Sequence, residues 1–317
     1  MAGTGVRKGL GAALCAALVL LVPPAMASAV YPGANGPLLV SLDGGVSAVD
    51  PETGAVLSRV VSEEVRSVAV AADGRTIFYS QIGLTSTGEP GMVFSTVNID
   101  GTGARQVASR PLSPPGEFAV SPDGGTIAYW PERDNGGFFA LSTAGGEPTQ
   151  LTTKINDNGL EYSPDGTKIV FARLGPGTGP PGECGIPSRG IGIWIANADG
   201  SNARPLADNA RHTEIGPHFT PDGKRVIYSR SHGSTNCGDD IALPTAVHSV
   251  RINGTGDRLV TPVDFKEKIG AIPTPDGKRL LMERKNKLMT IPMDGKGPAA
   301  RLRVPAGKFL AWAPTPR

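Results

Sequence analysis

The chain is poor in several things that would settle its class at once. Of its 317 residues only 19% are charged and 5% aromatic, and there are three cysteines. No heptad repeat persists, which excludes a coiled coil, and glycine has no three-residue period, which excludes collagen. No run after residue 29 is long and apolar enough to span a bilayer. There is no G-x-S-x-G elbow, no P-loop and no dinucleotide-binding fingerprint. No cofactor is therefore expected. Disorder is excluded from the other side, because 39% of the chain is hydrophobic.

What is abundant is turn chemistry. The chain has 43 glycines and 29 prolines, over a fifth of its length, against about 12% in average usage. A globular chain this rich in turns reads as all-β.

Residues 1–29 read as a secretory signal peptide. Arg7 and Lys8 form a positive start, Leu10 to Val22 is uncharged and apolar, and Ala27-Ser28-Ala29 is a small-x-small cleavage site. Residues 30–317 are then a single exported domain, secreted or held in the cell envelope or periplasm. Removing Arg7 and Lys8 from 31 basic residues leaves 29 against 29 acidic ones. A neutral chain with no basic patch argues against nucleic acid as a partner. Cys184 and Cys237 remain, the number one disulfide needs in an oxidising compartment.

The informative signal is an internal repeat. Ser121-Pro122-Asp123-Gly124, Ser163-Pro164-Asp165-Gly166, Thr220-Pro221-Asp222-Gly223 and Thr274-Pro275-Asp276-Gly277 each precede a β-branched or aromatic run, and Ala71-Ala72-Asp73-Gly74 is a degenerate copy. Proline presets the first turn residue, aspartate caps the turn, and glycine takes the positive φ. A second turn recurs further on, at Asp100-Gly101, Asp199-Gly200 and Asp294-Gly295. Each unit reads as strand, PDG turn, strand, variable loop, strand, DG turn, strand. Four antiparallel strands at a period of roughly 40 to 57 residues are the mark of a propeller blade.

The S/T-P-D-G-x-x-I/V phrase followed by A-D-G-S resembles the repeat of TolB-like six-bladed β-propellers. The resemblance covers nearly all of residues 36 to 317. It implies the fold and says little about activity. The family's namesake has an α/β domain ahead of its propeller, and only about seven residues separate the signal from the first strand here. The resemblance is to the propeller alone, so a role in a Tol–Pal envelope system is not carried over.

Five complete units begin near Val65, Glu117, Gly159, Ile215 and Ile269. Residues 37–62 supply three more strands, and Phe309-Leu310-Ala311-Trp312 supplies a lone strand that would complete that blade and close a ring of six. Strand order puts both turn types on one face, the bottom. The insertions Gln81–Gly91, Leu174–Gly190 and Ser231–Ala246 lie on the other face, the top, where binding usually resides. Cys184 and Cys237 fall in the long top-face loops of consecutive blades and are expected to pair.

Aligned four residues before the PDG aspartate, the innermost strands carry Ala69, Ala119, Glu161, His218 and Ile272, with Ala311 in the closing strand. Glu161 and His218 break a row of small or apolar residues and would face the channel. Asp157, Glu214, Lys268 and Lys308 hold comparable places nearer the top mouth. A carboxylate beside an imidazole there could bind a ligand or exchange a proton, or could be no more than a hydrogen-bonded channel lining. His212, His232 and His248 cluster near His218 in one blade, but their spacing fits no short metal motif, and no metal site is assigned. Asn156-Asp157-Asn158-Gly159 lacks the length and distal glutamate of a calcium loop.

The leading expectation is an exported, monomeric, non-catalytic propeller. It would bind a protein, peptide or glycan through its top face and channel mouth, with Glu161, His218, Asp157, Glu214 and Lys268 as candidate contacts. The alternative is a lyase or hydrolase acting on a polysaccharide or small molecule, with Glu161 and His218 as its acid and base.

Overall fold

The computed structural model describes residues 31–85, 87–111, 118–130, 136–154, 157–174, 191–208, 212–232, 245–261, 270–284, 287–305 and 308–316. Among these residues there is no helix, and the strands form six four-stranded antiparallel sheets, the blades of a propeller. Blade one holds β1 (Asn35–Leu42), β2 (Gly45–Val49) and β3 (Val56–Val61). Blade two holds β4 (Ser67–Val70), β5 (Thr76–Leu84), β6 (Pro90–Asn98) and β7 (Arg105–Pro111). Blade three holds β8 (Phe118–Val120), β9 (Thr126–Tyr129), β10 (Phe139–Ser142) and β11 (Thr149–Gln150). Blade four holds β12 (Asp157–Tyr162), β13 (Lys168–Leu174), β14 (Ile191–Asn197) and β15 (Arg204–Ala207). Blade five holds β16 (His212–Phe219), β17 (Arg225–His232), β18 (Thr245–Arg251) and β19 (Arg258–Leu259). Blade six holds β20 (Ala271–Pro273), β21 (Arg279–Arg284), β22 (Lys287–Pro292) and β23 (Ala300–Arg301).

The last strand, β24 (Lys308–Pro314), returns to the start of the chain and lies against β1 as the innermost strand of blade one. The pairing is the expected one, and its register sets Leu38 opposite Trp312, Leu39 opposite Ala311 and Val40 opposite Phe309. The Trp312 indole donates to Gly36 O at 2.9 Å. Ile272 and Leu281 of blade six pack with Phe309, Trp312 and Leu38, so the join between the chain's two ends carries a continuous apolar core. Closure covers the inner edge of β1 and brings blade one to four strands like the others.

The PDG turns form as their residues dictate. In blades three to six the Ser or Thr hydroxyl donates to the aspartate at 2.6 Å, and the aspartate accepts a backbone N–H two residues on. The glycines of these turns have φ of 67–71°. In the degenerate copy Ala71 has no hydroxyl, and Thr76 Oγ1 donates to Asp73 instead, at 2.8 Å. These turns touch around the bottom of the ring. A methyl group on Gly166 would lie 3.3 Å from Pro122, and one on Gly277 would lie 3.8 Å from Pro221, in each case the proline of the preceding blade's turn. Pro314, at the end of β24, takes that place beside Gly74.

The second turn has a different use for glycine. A Cβ on Gly200 would collide with the carbonyl of Leu151, and one on Gly295 with the carbonyl of Val260, both in the preceding blade. Only glycine lets adjacent blades approach that closely.

Two details differ from the expectation. Gln81–Gly91 is not a loop: β5 and β6 pair without a break up to Leu84–Pro90, closed by a turn in which Gly88 N–H reaches Thr85 O at 2.9 Å. The alternation Ser80-Gln81-Ile82-Gly83-Leu84 continues the strand beyond the end of its inner neighbour β4. The short segment before β1 is also structural. Gly33 N–H donates to Pro275 O in blade six, and two residues earlier the Tyr31 hydroxyl donates to Val120 O in blade three at 2.7 Å. Blades three and six are opposite each other, so residues 31–33 cross the axis at the bottom. Tyr31 is 1% exposed.

Candidate functional site

The structure brings Glu161 and His218 together and buries both. Glu161 comes from β12 and His218 from β16, neighbouring innermost strands. His218 Nδ1 lies 2.6 Å from Glu161 Oε2, and Phe219 N–H donates to Oε1 at 2.9 Å. Both carboxylate oxygens are thereby engaged across the seam between blades four and five. Exposures of 3% and 6% place the pair in the wall of the channel and out of bulk solvent. Burial pushes the Glu161 carboxyl above its ordinary range, while the imidazole and the Phe219 amide pull it back. Tyr31 lies within electrostatic reach of Glu161, and its phenol is pushed up, first by its own burial and then by that carboxyl. The aligned positions elsewhere carry Ala69, Ala119, Ile272 and Ala311, so the two polar side chains stand in an otherwise apolar row and find their partner in each other.

Asp157 and Glu214 do not face the same space as this pair. Each stands at the top end of its innermost strand and is held by an arginine directly opposite on the second strand, 16 residues along in both blades. Arg173 grips Asp157 with two hydrogen bonds of 2.6 and 2.8 Å. The Arg173 guanidinium also lies 4.9 Å from the Phe171 ring centre and 4.5 Å from that of Trp194. Arg230 holds Glu214 at 2.6 Å, Asp257 at 2.8 Å and the Tyr228 hydroxyl at 2.8 Å. His248 sits opposite Tyr228, with Nδ1 3.3 Å from Asp257. Blade five thus repeats the plan of blade four, with Tyr228 for Phe171 and His248 for Trp194.

The electrostatics of the two carboxylates on Arg230 differ. Glu214 is fully buried and its Oε2 has no hydrogen-bond partner. Desolvation pushes its carboxyl up to about 7, against the pull of Arg230. Asp257 is partly exposed. Burial opposes its ionisation, but hydrogen bonds from His248, Tyr228 and Arg230 outweigh that and hold it well below the usual range.

Sequence reasoning missed the two arginines and Tyr31. The arginines carried a signal, since each follows its PDG aspartate by eight residues, just as the acid precedes it by eight. Tyr31 carried none, because nothing local says that a residue ahead of the first strand will cross the ring. Lys268, Cys184 and Cys237, and residues 1–29, lie outside the described residues. Among the described residues no group of three or more His, Cys, Asp or Glu is arranged to hold a metal ion.

The same fold recurs widely in solved structures. A chain of a nidogen/laminin complex aligns with a TM-score of 0.60 at 12% identity, over 87% of this chain and 97% of that one. TolB from Acinetobacter baumannii gives 0.59 at 18% identity, over 90% of this chain and 66% of its own. A protein assigned as TolB from Agrobacterium tumefaciens gives 0.52 at 18% identity, over 78% and 86%. No family model and no curated sequence matches the chain. At these identities the likeness establishes a propeller of the kind found in TolB, and its owners have unlike roles, so the fold selects no function.

Proposed function

We propose that this is a non-catalytic binding propeller, exported from the cytoplasm, that holds a protein, peptide or glycan on its top face. The observation that carries the reading is closure of the opposite end. Residues 31–33 cross the axis between blades three and six, and buried Tyr31 fills the bottom of the channel. A ligand must then approach from the top, where the β5–β6 hairpin of blade two projects. The carboxyl–imidazole couple supports the non-catalytic reading, since both Glu161 oxygens are spent on His218 and Phe219. A general acid or base must reach the proton it transfers, and Glu161, buried with both oxygens engaged, is poorly placed to do so. Cell-envelope or extracellular residence rests on the N-terminal leader pattern and is part of this proposal.

Peptide and glycan arrays probed with the purified protein test it. Bound ligands should be lost on Leu84→Asp, at the top of blade two, and kept on Asp199→Lys, in a bottom turn. No ligand should be turned over. A product whose formation requires Glu161 or His218 would replace this reading with the enzymatic one.

A further inference from the structure

Blade two is taller on the inside than its neighbours. The ladder between β4 and β5 ends at Ser67–Ser80, with one further bond from Arg66 N–H to Ser80 O. Beyond it β5 continues for four residues, Gln81 to Leu84, backed on its outer side by β6 and then β7. At about 3.3 Å per residue this leaves roughly 13 Å of strand with no inner strand paired to it among the described residues. In an antiparallel ladder the backbone groups of alternate residues turn to the same side. Ser80 turns inward to meet Arg66, so Ile82 and Leu84 turn inward too. Among the described residues neither has a backbone hydrogen-bond partner on that side. The pairing of Thr85 N–H with Glu89 O, on the β6 side, fits the same parity.

The side chains agree with the backbone. Ile82 and Leu84 share one face and are 51% and 67% exposed, two of the few large apolar residues left in solvent. An exposed edge with apolar side chains is a hazard that proteins usually blunt with proline, lysine or a bulge. Among the described residues the inner side of Gln81–Leu84 carries neither proline nor lysine. Acidic residues flank it instead: the Gln81 amide donates to the Glu63 carboxylate and to the backbone carbonyl of Glu64, both at 3.2 Å, and Glu89 stands at the hairpin tip.

We infer that the inner edge of β5 at Ile82–Leu84 is a strand-addition site for an extended, basic segment of a partner polypeptide. The segment would pair its backbone with Ile82 and Leu84 as a new inner strand of blade two. Its apolar side chains at alternate positions would cover those of Ile82 and Leu84. Lysine or arginine at the intervening positions would answer Glu63, Glu64 and Glu89. Main-chain bonds supply affinity in this mode and the alternate side chains supply selectivity. The inference rests on the top-face reading above and names its partner class.

Selection from a displayed library of random ten-residue peptides tests it. The selected peptides should alternate apolar residues and carry an excess of lysine and arginine. N-methylation of the backbone amides that face β5, which leaves every side chain and charge in place, should weaken the best peptide at least tenfold. Ile82→Pro should do the same, because it removes an inward N–H without touching the β6 ladder. If that variant melts early, the N-methylated peptide against the unaltered protein decides the matter alone. Binding that survives both changes, or selected peptides without alternation or basic character, overturns the inference. If bound ligands are lost on other top-face substitutions but not on Ile82→Pro, the edge is refuted and the top-face reading stands. Absence of any top-face-dependent binding refutes both. Dimerisation of the free protein abolished by Ile82→Pro would overturn the inference in favour of a second copy as the occupant.

Discussion

Replacing Tyr31 with alanine should unlock the bottom of the ring. The phenol is 1% exposed and its hydroxyl donates to Val120 O at 2.7 Å, on the far side of the axis from the Gly33–Pro275 bond. Removing a buried aromatic ring costs about 3–5 kcal/mol when the cavity does not collapse. The axis of a rigid ring has little scope for collapse. Tyr31→Phe keeps the ring and leaves the Val120 carbonyl unpaired, at about 1–3 kcal/mol. With a melting shift of about 2–4 °C per kcal/mol for a domain of this size, Phe should lower Tm by several degrees and Ala by roughly 6–20 °C. Scanning calorimetry of the two variants gives the order. Hydrogen exchange gives the place, since the amides of Gly33 and Asp276, bonded across this end, should lose protection in the alanine variant. The wild-type phenol, raised by burial, should also be among the last to ionise in an ultraviolet titration. An alanine variant that melts with the wild type, with Gly33 and Asp276 still protected, would refute the account of the closed end.

Three further outcomes follow from the same geometry. Glu214 titrates near 7 in the folded chain against an ordinary 4.5, so the stability it contributes is full below pH 4.5 and is lost as pH rises through 7. The span of that loss is on the order of 3 kcal/mol. Urea denaturation between pH 5 and 8 should show a decline that Glu214→Gln flattens. Trp312→Ala, which empties a core position at the closing join and removes the bond to Gly36, should cost about 3–5 kcal/mol and unfold the ring as one unit; loss confined to blade one would contradict closure. Free-thiol counting on the denatured, unreduced protein cleaved after Ala29 should find none, with Cys184 and Cys237 in one linked peptide, and two titratable thiols would refute the pairing.

The blade count, the strand order and the closing strand were legible because the PDG phrase fixes a local turn by its own hydrogen bonds, and a period in sequence becomes a period in space. The seam pair Glu161–His218 was legible as a juxtaposition, because aligned positions in adjacent blades stand side by side. Its burial was not, since alignment of strands says which side chains stand together and not how much of them the surrounding chain covers. Asp157 and Glu214 were visible as charges at the mouth; their arginine partners were legible in the matching eight-residue spacing about each PDG aspartate, and the β12–β13 and β16–β17 registers set each arginine opposite its acid. Gln81–Gly91 read as a loop because its glycines and Pro90 resemble turn residues. The ladder accommodates them, with Gly83 opposite Gly91 and Pro90 opposite Leu84, a non-bonded position where the missing N–H costs nothing.

Amide hydrogen exchange of the free protein and of its complex with a selected peptide tests the central claim most directly. In the free protein Gln81 and Gly83 should be protected by the β6 ladder, while Ile82 and Leu84 exchange freely. Peptide should slow Ile82 and Leu84 and leave the bottom turns at Asp123–Thr126 and Asp165–Lys168 unchanged. Slow exchange at Ile82 and Leu84 before any ligand is added, or protection gained at the bottom turns, would contradict the account.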